Sequence, residues 1–429
     1  MKFSKLSQLF LVSSIGLLVA TVFSACAITT IDYVFVANST GTGTSNDGQI
    51  ETYAADSQSG ALRTVNSAVS SGGVNPIAMA LTSDYENLYV ANSGSSNIVH
   101  FGIGIDGTLT AKDTLTLASG TPIRMAVNSA GTYLYVISCT PAPTLPCTAG
   151  TAALTEYALS SGTIGSLTTT KLLNLSNVSG AYAGDDIVPT GITVLANNSA
   201  VTGNAVFVSA YDVSAYNPGG TTTSTANPGW VFGFTIGSGG ALTASTSGNP
   251  AITVSPWEAG VKPTAIASDP TDRFVYITDF AQDQLIGYTI IDGSVLNFLP
   301  NGPFRTGNEP SAVIVDPRGM FIYVTNSLDS TVSPYEITLA TGTPSAAVNT
   351  TGSGSNSTDT EPVALVMDPA LGRFVYTANL LGNSISGFKA NPTSGALSAT
   401  QATPYPTGQK PTAIVSVPHG NYSTQSVTP

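Results

Sequence analysis

The stretch EPSAVIVDPRGMFIYVTNSLDSTVSPYEITLATG, residues 309–342, contains the pattern from which most of the chain is built. Pro310 leads a short apolar run that ends at a turn beginning with Asp316. A second apolar run ends at Asn326, and a third follows a polar turn. Short apolar runs bounded by Gly, Pro, Asn and Asp are typical of β-strands joined by tight turns. The stretch therefore predicts three or four short antiparallel strands per unit.

The same unit recurs along the chain, which indicates a repeat architecture. Its proline-led run occurs seven times, beginning at Pro76, Pro122, Pro189, Pro263, Pro310, Pro362 and Pro411. The second and third runs also occur seven times, but the chain begins with a second-type run at Tyr33 and ends with a first-type run. The last unit is complete only if the C-terminal strand pairs with the N-terminal one, which is how a propeller closes. We therefore predict an all-β, seven-bladed β-propeller, one domain over 27–429 with repeats over about 31–420.

Composition agrees with this fold class. Hydrophobic residues make up 42% of the chain, too many for a disordered protein, and only 9% of residues are charged. The usual helix formers Glu, Lys, Gln and Arg are scarce, which favours short strands and turns. Three insertions lengthen the units, at 139–150, at roughly 171–187 and at 211–229. Long loops on a rigid scaffold are where recognition usually resides.

The N-terminus has the features of an export signal. Lys2 and Lys5 precede an apolar run from Leu6 to Val22, and small residues lead to Cys26. The residues before Cys26 resemble the lipobox of bacterial lipoproteins. This resemblance implies a signal peptide over 1–26, a lipid anchor on Cys26 and a place on the bacterial cell envelope. An ordinary cleaved signal, which would give a secreted protein, and an uncleaved membrane anchor remain alternatives.

Charge and cysteine usage limit the partners. Removal of residues 1–26 leaves 11 basic and 25 acidic residues, a net charge of −14 (11 − 25). No basic stripe exists to contact phosphates, which excludes nucleic acid as a partner. Cys139 and Cys147 flank one loop, and in an exported chain such a pair favours a local disulfide. With no His or third Cys nearby, we expect no metal there, and we expect a monomer.

The run YVTN at 323–326 resembles the YVTN-type propeller repeat. The wider pattern resembles the seven-bladed lactonase family, which includes 6-phosphogluconolactonase-like proteins. The resemblance to this family rests on the Asp-Pro turns that start at Asp269, Asp316 and Asp368 and on the sequence SGAL at 59–62 and 394–397. The resemblance implies a lactonase fold and a lactone-hydrolysing activity. Relatives often place a His at the third position of the inner strand. Here that position holds Ala78, Arg124, Gly191, Ala265, Ala312, Ala364 and Ala413.

Arg124 is the exception among these seven positions. Because inner strands crowd the central channel, a side chain at this place is expected to point into it. A guanidinium there binds the carboxylate or phosphate of a ligand, or else forms a structural ion pair with a channel carboxylate. The repeated Asp residues of the Asp-Pro turns are expected to initiate turns. His100 is expected to lie on a strand face, and the other histidine, His419, lies in the C-terminal tail.

The loops that enter the first strand and leave the second are expected to share one polar, mostly acidic face. Asp185, Asp186, Glu258, Glu309 and Glu361 are candidates for Ca²⁺ binding or acid–base chemistry, the alternative being a solvated acidic rim. Arg305 belongs to the same set of candidate binding residues. Trp257 either stacks on a ligand ring or anchors the packing of its loop.

Two functions are compatible with the sequence. The first is an envelope propeller that acts as a binding scaffold for a small molecule, a glycan or a protein. The alternative is a lactone hydrolase acting on a sugar or related lactone, with Arg124, Glu258 and Glu309 as candidate catalytic residues. A quinone-dependent dehydrogenase is disfavoured because the chain has only two Trp residues. No cofactor is expected apart from the Ca²⁺ considered above.

Overall fold

The computed structural model describes residues 29–40, 47–140, 151–175, 187–196, 204–212, 229–246, 255–291, 293–348 and 354–419. Cys26, Cys147, Asp185 and Asp186 lie outside these ranges. Their predicted roles, in the anchor, the disulfide and the acidic rim, therefore lie outside the described residues. Over the described ranges there is no helix with the length and apolarity needed to cross a membrane.

Within the described ranges, thirty-three strands form seven sheets. The first three blades contain, in chain order, β1 (Thr30–Thr40), β2 (Gln49–Asp56), β3 (Leu62–Thr64) and β4 (Val69–Ser70); β5 (Pro76–Leu81), β6 (Asn87–Asn92), β7 (Asn97–Ile103) and β8 (Leu109–Thr116); and β9 (Thr121–Val127), β10 (Tyr133–Cys139), β11 (Ala153–Ser160) and β12 (Thr163–Leu172). The fourth contains β13 (Ile187–Val194), β14 (Ala205–Asp212), β15 (Trp230–Ile236), a 3₁₀ turn (Ser238–Gly240), β16 (Leu242–Ala244) and β17 (Trp257–Glu258).

The remaining blades follow the same plan. The fifth contains β18 (Pro263–Ser268), β19 (Phe274–Asp279), β20 (Gln284–Ile291), β21 (Val295–Phe298) and β22 (Phe304–Arg305); the sixth β23 (Pro310–Val315), β24 (Phe321–Asn326), β25 (Thr331–Ile337), β26 (Pro344–Ala346) and β27 (Asn356–Ser357). The seventh contains β28 (Pro362–Met367), β29 (Phe374–Asn379), β30 (Ser384–Ala390), β31 (Leu397–Ala399) and β32 (Tyr405–Pro406), and β33 (Gln409–Pro418) ends the series.

The ring is closed by the two ends of the described chain. β33 pairs antiparallel with β1, with Val417 opposite Tyr33 and Ala413 opposite Ala37, so it completes the first blade as its inner strand. The first strands of neighbouring blades contact one another around the ring. The sequence-based prediction of a seven-bladed propeller closed by its terminal strands is confirmed.

Antiparallel strand order gives the disc two distinct faces. All seven inner strands begin, at or next to their prolines, on what we call the proline face. They end on the opposite face, which we call the aspartate face because the turns at Asp269, Asp316 and Asp368 lie there. The chain enters β1 at Thr30, which pairs with Asp56 at the aspartate face. Each second strand returns to the proline face, and each third strand begins there.

A β-bulge follows the proline of every inner strand. In the fifth blade, Pro263 pairs with Asp279 but Ala265 pairs with Thr278, so Thr264 is the extra residue. The same shift occurs in the other six inner strands. A bulge interrupts the alternation of side chains between the two faces of a strand and re-aims them. Consecutive residues of one inner strand therefore line the channel, which a regular strand would not allow.

Three of the bulge residues carry hydroxyls that connect neighbouring blades. Thr264 Oγ1 donates to the Pro310 carbonyl (2.7 Å), Ser311 Oγ donates to the Pro362 carbonyl (2.6 Å) and Thr412 Oγ1 donates to the Pro76 carbonyl (2.7 Å). In each case the acceptor is the first proline of the next inner strand. These bonds fix the spacing of the strands that form the channel wall.

Val363 occupies the bulge position of β28 and has no hydroxyl to offer Pro411. We expect Val363→Thr to add the missing inter-blade hydrogen bond and to raise the free energy of unfolding by about 1 kcal/mol. Thr264→Val is the matched control. It should lower the free energy of unfolding by a similar amount, because the Pro310 carbonyl loses its hydrogen-bond donor. Denaturant titration of both variants measures the two changes. Destabilisation by both variants would contradict the prediction.

The Asp-Pro turns depend on buried carboxylates. Asp368 is fully buried, and it accepts four backbone N–H groups, those of Leu371, Gly372, Arg373 and Phe374, at 2.6 to 3.1 Å. Asp269 and Asp316 accept the corresponding N–H groups at the starts of β19 and β24. This confirms the sequence interpretation of the repeated Asp as turn chemistry.

A second carboxyl group, that of Asp32 on β1, is buried beside Asp368. Burial, together with the Asp368 charge, raises the pKa of Asp32 well above its ordinary value. Burial raises the pKa of Asp368 as well, but the four N–H groups that it accepts oppose this change, so the ionised form is favoured more on Asp368 than on Asp32. The Asp32 charge also contributes to the raised pKa values of Tyr85 and Tyr376, for which burial is the larger cause.

This pair makes stability depend on pH. The folded state keeps the Asp32 proton at pH values where the unfolded chain has lost it, so stability falls as pH rises above about 4. Asp32→Asn removes this titration. We expect its stabilising effect to be larger at pH 7 than at pH 4, by about 1.4 kcal/mol for each pH unit between the folded and unfolded pKa values. Thermal unfolding at both pH values measures the difference, and an equal effect at both would contradict the argument.

Candidate functional site

The central channel contains a cavity of about 190 Å³ near the proline face. It is lined by residues two to four places along the inner strands of all seven blades, counted from their prolines. Its volume is below the roughly 300–1,000 Å³ of sites for drug-sized ligands, so it suits a small molecule. The cavity owes its width to the small third residue, Ala or Gly, in six of the seven strands.

Arg124 is the seventh of these third residues and the one large side chain among them. It is half-buried, and its Nη1 donates to the Ile123 carbonyl (2.9 Å) and to the Ile77 carbonyl of the neighbouring blade (3.2 Å). These two bonds hold the guanidinium in one orientation across the boundary between the second and third blades. Burial lowers the pKa of Arg124, although a guanidinium remains protonated in any folded protein.

Arg124 has no counter-ion in the described part of the chain. The ion pairs formed there are His100 with Asp113, Arg273 with Asp269 and Arg318 with Asp316. Arg124 is also the one ionisable side chain among the described residues that line the cavity. The alternative considered from the sequence, a structural ion pair with a channel carboxylate, is therefore not formed by the described residues. A positive charge that forms no ion pair with the described residues of a small cavity is available to an anionic or polarised ligand oxygen.

The rim around the cavity is formed by the residues that precede the inner-strand prolines. Glu309 and Glu361 are half-buried there and have positive φ values of 54° and 59°. Lys262 occupies the same place in the fifth blade, with its Nζ 4.2 Å from the centre of the Phe280 ring and 5.8 Å from that of Tyr211. Burial lowers the pKa of Lys262, and the negative charge of Glu309 opposes that change. The rim therefore carries both signs of charge.

The structure separates other candidate residues from this cavity. Glu258 and Arg305 lie on β17 and β22, short strands that pair with the third strands β15 and β20. The second and third strands of each blade therefore lie between these residues and the inner strand that lines the channel. Both side chains are exposed. Glu258 and Arg124 therefore do not form one catalytic group.

Trp257 lies in a hydrophobic cluster between the fourth and fifth blades and is 5% exposed. Its ring contacts the backbone region of Gly233, where an added Cβ would lie 2.7 Å from it. A buried ring cannot stack on a ligand, so the structure favours the packing alternative for Trp257.

Neither histidine lies in the channel. His100 on β7 is 3% exposed and contacts Asn87 Oδ1 at 2.8 Å and Asp113 Oδ2 at 3.3 Å, while its ring stacks on Tyr89. His419 packs against Tyr33. Within the described ranges, no three His, Cys, Asp or Glu side chains are grouped to hold a metal ion. Glu258, Glu309 and Glu361 are therefore not part of such a group among the described residues.

The sequence analysis did not anticipate the bulge residues as part of the cavity wall. Thr190, Thr264, Ser311 and Thr412 line it. The available signal was the residue after each proline, which is a hydroxyl residue in four of seven copies. Three of these hydroxyls donate to the next blade, and Thr190 Oγ1 shares a hydrogen bond with Ser209 Oγ (3.0 Å), so they offer a ligand mainly acceptor oxygens.

The fold and this cavity define a seven-bladed β-propeller with a small-molecule-sized site in its channel. The family model described as "Lactonase, 7-bladed beta-propeller" matches residues 24–124 and 248–423, well over half of the chain. The chain belongs to that lactonase family. The unmatched part, between 124 and 248, contains all three long insertions. No curated protein matches the chain.

Solved structures resemble the chain along most of its length. They include a proposed 6-phosphogluconolactonase from Bacteroides uniformis, with a TM-score of 0.67 and 16% identity over 91% of this chain and 100% of the other. The periplasmic gluconolactonase PpgL of Pseudomonas aeruginosa has a TM-score of 0.66 and 17% sequence identity, over 90% of this chain and 99% of the other. A hypothetical selenium-binding protein from Sulfolobus tokodaii has a TM-score of 0.62 and 13% sequence identity, over 94% of this chain and 97% of the other. At such identities the likeness extends to the fold alone.

Proposed function

We propose that this chain hydrolyses a small lactone in the channel cavity, with Arg124 holding the lactone carbonyl oxygen. The observation that carries the proposal is a guanidinium that forms no ion pair with the described residues, is held by the Ile77 and Ile123 carbonyls and faces a cavity of suitable size. Membership of the lactonase family supports the reaction type. Lactone hydrolysis was the alternative function that the sequence suggested, and the family match favours it over a binding scaffold without activity.

The chemistry requires stabilisation of a developing negative charge. Water adds to the lactone carbonyl carbon and releases a proton to solvent, and the carbonyl oxygen becomes an oxyanion. The ring C–O bond then breaks, the ring oxygen takes up a proton and a hydroxy acid is released. A fixed positive charge placed at the oxyanion lowers the barrier because it needs no reorganisation during the reaction.

The direct test is hydrolysis of a lactone panel by the purified protein, followed as acid release with a pH indicator. Glucono-δ-lactone and δ-valerolactone represent the sugar and simple lactones. We expect acceleration over buffer that saturates with substrate. Rates equal to buffer for both lactones at micromolar protein would contradict hydrolysis.

A second candidate function, ligand binding without turnover, is favoured by one specific observation. No Asp, Glu or His is present among the described residues that line the cavity, so the cavity wall contributes no general base there. Calorimetric titration with gluconate and pentanoate distinguishes the two functions. Binding of either carboxylate without lactone turnover would assign the protein as a binding scaffold.

We also propose that the chain is exported and acylated on Cys26, and that Cys139 and Cys147 form a disulfide. Residues 1–26 support export through their charged start and apolar core. Cys139 is buried at the end of β10, beside the loop that carries Cys147. Mass spectrometry of the protein from its native membrane tests both modifications.

A further inference from the structure

We infer that the aspartate face of the propeller lies against the membrane, so that the channel cavity with Arg124 opens away from it. The partner of this face is a phospholipid surface. The inference rests on the proposed acylation of Cys26, and the experiment below separates failure of the acylation from failure of the orientation.

The first argument is the length of the tether. Thr29 is fixed to the aspartate face, where its carbonyl accepts the N–H of Ser57 (2.9 Å). Thr30 accepts a further hydrogen bond on its Oγ1 from Arg63 Nη2 (3.1 Å). Only residues 27 and 28 separate Thr29 from Cys26, so the tether spans at most about 10 Å. An acyl chain on Cys26 therefore keeps the aspartate face close to the lipid headgroups.

The second argument is the charge of the two faces. Five of the eleven basic residues after Cys26 lie at the aspartate face: Arg63, Arg273, Arg318, Arg373 and Lys389. Several acids of this face are buried in the turns or beside them, namely Asp32, Asp269, Asp272, Asp316 and Asp368. The exposed or half-buried acids there are Asp56, Asp84, Glu86, Asp106 and Glu336. Positive and negative charges exposed on this face are therefore nearly balanced.

The proline face is more acidic. Its exposed or half-buried carboxylates include Glu258, Asp283, Glu309, Asp329, Asp359 and Glu361. The corresponding basic residues are Lys171, Lys262, Arg305 and Lys410. Membranes with anionic lipids carry a negative surface potential that repels an acidic face. Charge thus favours the orientation that the tether imposes.

The orientation has a functional consequence. Arg124 is the third residue from the proline in its inner strand, roughly 7 Å along the strand from the proline face. A ligand reaches this cavity from the proline face without crossing the lipid surface. The anchored protein therefore keeps its site open to the aqueous compartment.

Two exposed leucines on one blade allow a matched test. Leu328 precedes β25 at the proline face and Leu339 follows it at the aspartate face; they are 64% and 49% exposed. The seven residues of β25 place them roughly 25 Å apart. Leu328→Cys and Leu339→Cys are each labelled with a fluorophore in the full, acylated chain. The labelled proteins are reconstituted in phosphatidylethanolamine–phosphatidylglycerol vesicles that contain a headgroup spin-labelled lipid.

We expect quenching to be several-fold stronger for the label at Leu339→Cys than at Leu328→Cys. Wild-type protein treated with the same reagent controls for labelling at Cys139 and Cys147. Equal quenching, or stronger quenching at Leu328→Cys, in protein whose Cys26 peptide carries acyl chains would overturn the orientation alone. A Cys26 peptide without acyl mass would overturn the anchor, and the orientation with it.

Discussion

Replacement of Arg124 by methionine is expected to lower kcat/KM for a small lactone by about 100-fold or more. Removal of one fixed group that stabilises an oxyanion lowers kcat by about 10²–10³-fold. Arg124 is the one ionisable side chain among the described residues of the cavity wall, so no second described charge compensates for its loss. Methionine fills similar space without charge, which keeps the channel packed. Steady-state kinetics of the purified variants measure the effect.

Two further variants define the cause of this loss. Arg124→Lys keeps the charge but loses the planar fork, and we expect an intermediate kcat/KM. Arg63→Met removes an exposed guanidinium from the aspartate face and should leave the kinetics unchanged. A loss of similar size for Arg63→Met and Arg124→Met would contradict a specific role for Arg124.

Replacement of Asp368 by alanine is expected to lower the free energy of unfolding by about 3–5 kcal/mol. The buried carboxylate accepts four backbone N–H groups, and each donor left buried without an acceptor costs about 1–3 kcal/mol. Relief of the charge beside Asp32 offsets a small part of this cost. Denaturant titration of the purified variant measures the change.

Asp106 provides the matched control for Asp368. It accepts hydrogen bonds from the N–H (3.1 Å) and the hydroxyl (2.7 Å) of Thr108 in a similar tight turn, but it is exposed, so water replaces the lost acceptor. Asp106→Ala should change stability far less than Asp368→Ala does. Equal destabilisation by Asp106→Ala and Asp368→Ala would show that burial is not the reason for the Asp368 effect.

The fold was predictable from the sequence because its determinants are local and repeated. Seven copies of one strand pattern, with turn residues at fixed offsets, leave few alternatives to a propeller. The shifted order of the copies also predicted the pairing of β33 with β1, which the register between Val417 and Tyr33 confirms. Each of these features is visible in the amino-acid sequence itself, without knowledge of which distant residues are in contact.

The site was predictable only in part. Arg124 was found because it departs from a repeated small residue. Glu258 and Trp257 were grouped with it because their loop leads to an inner strand, but the short strand β17 pairs with β15 and carries them to the outer part of the blade. The role of Thr264 depends on the bulge after Pro263, and a bulge is a property of strand pairing that no single strand reveals.

The central claim is that the ligand binds in the channel on Arg124, and the position of a bromine-labelled carboxylate in crystals of the protein tests it most directly. Crystals soaked with 5-bromopentanoate, a mimic of the hydroxy-acid product, locate the bromine by anomalous scattering. We predict a bromine peak inside the cavity at the proline face, with the carboxylate on the Arg124 guanidinium. A peak only outside the channel, or none at saturating concentration, would contradict the claim.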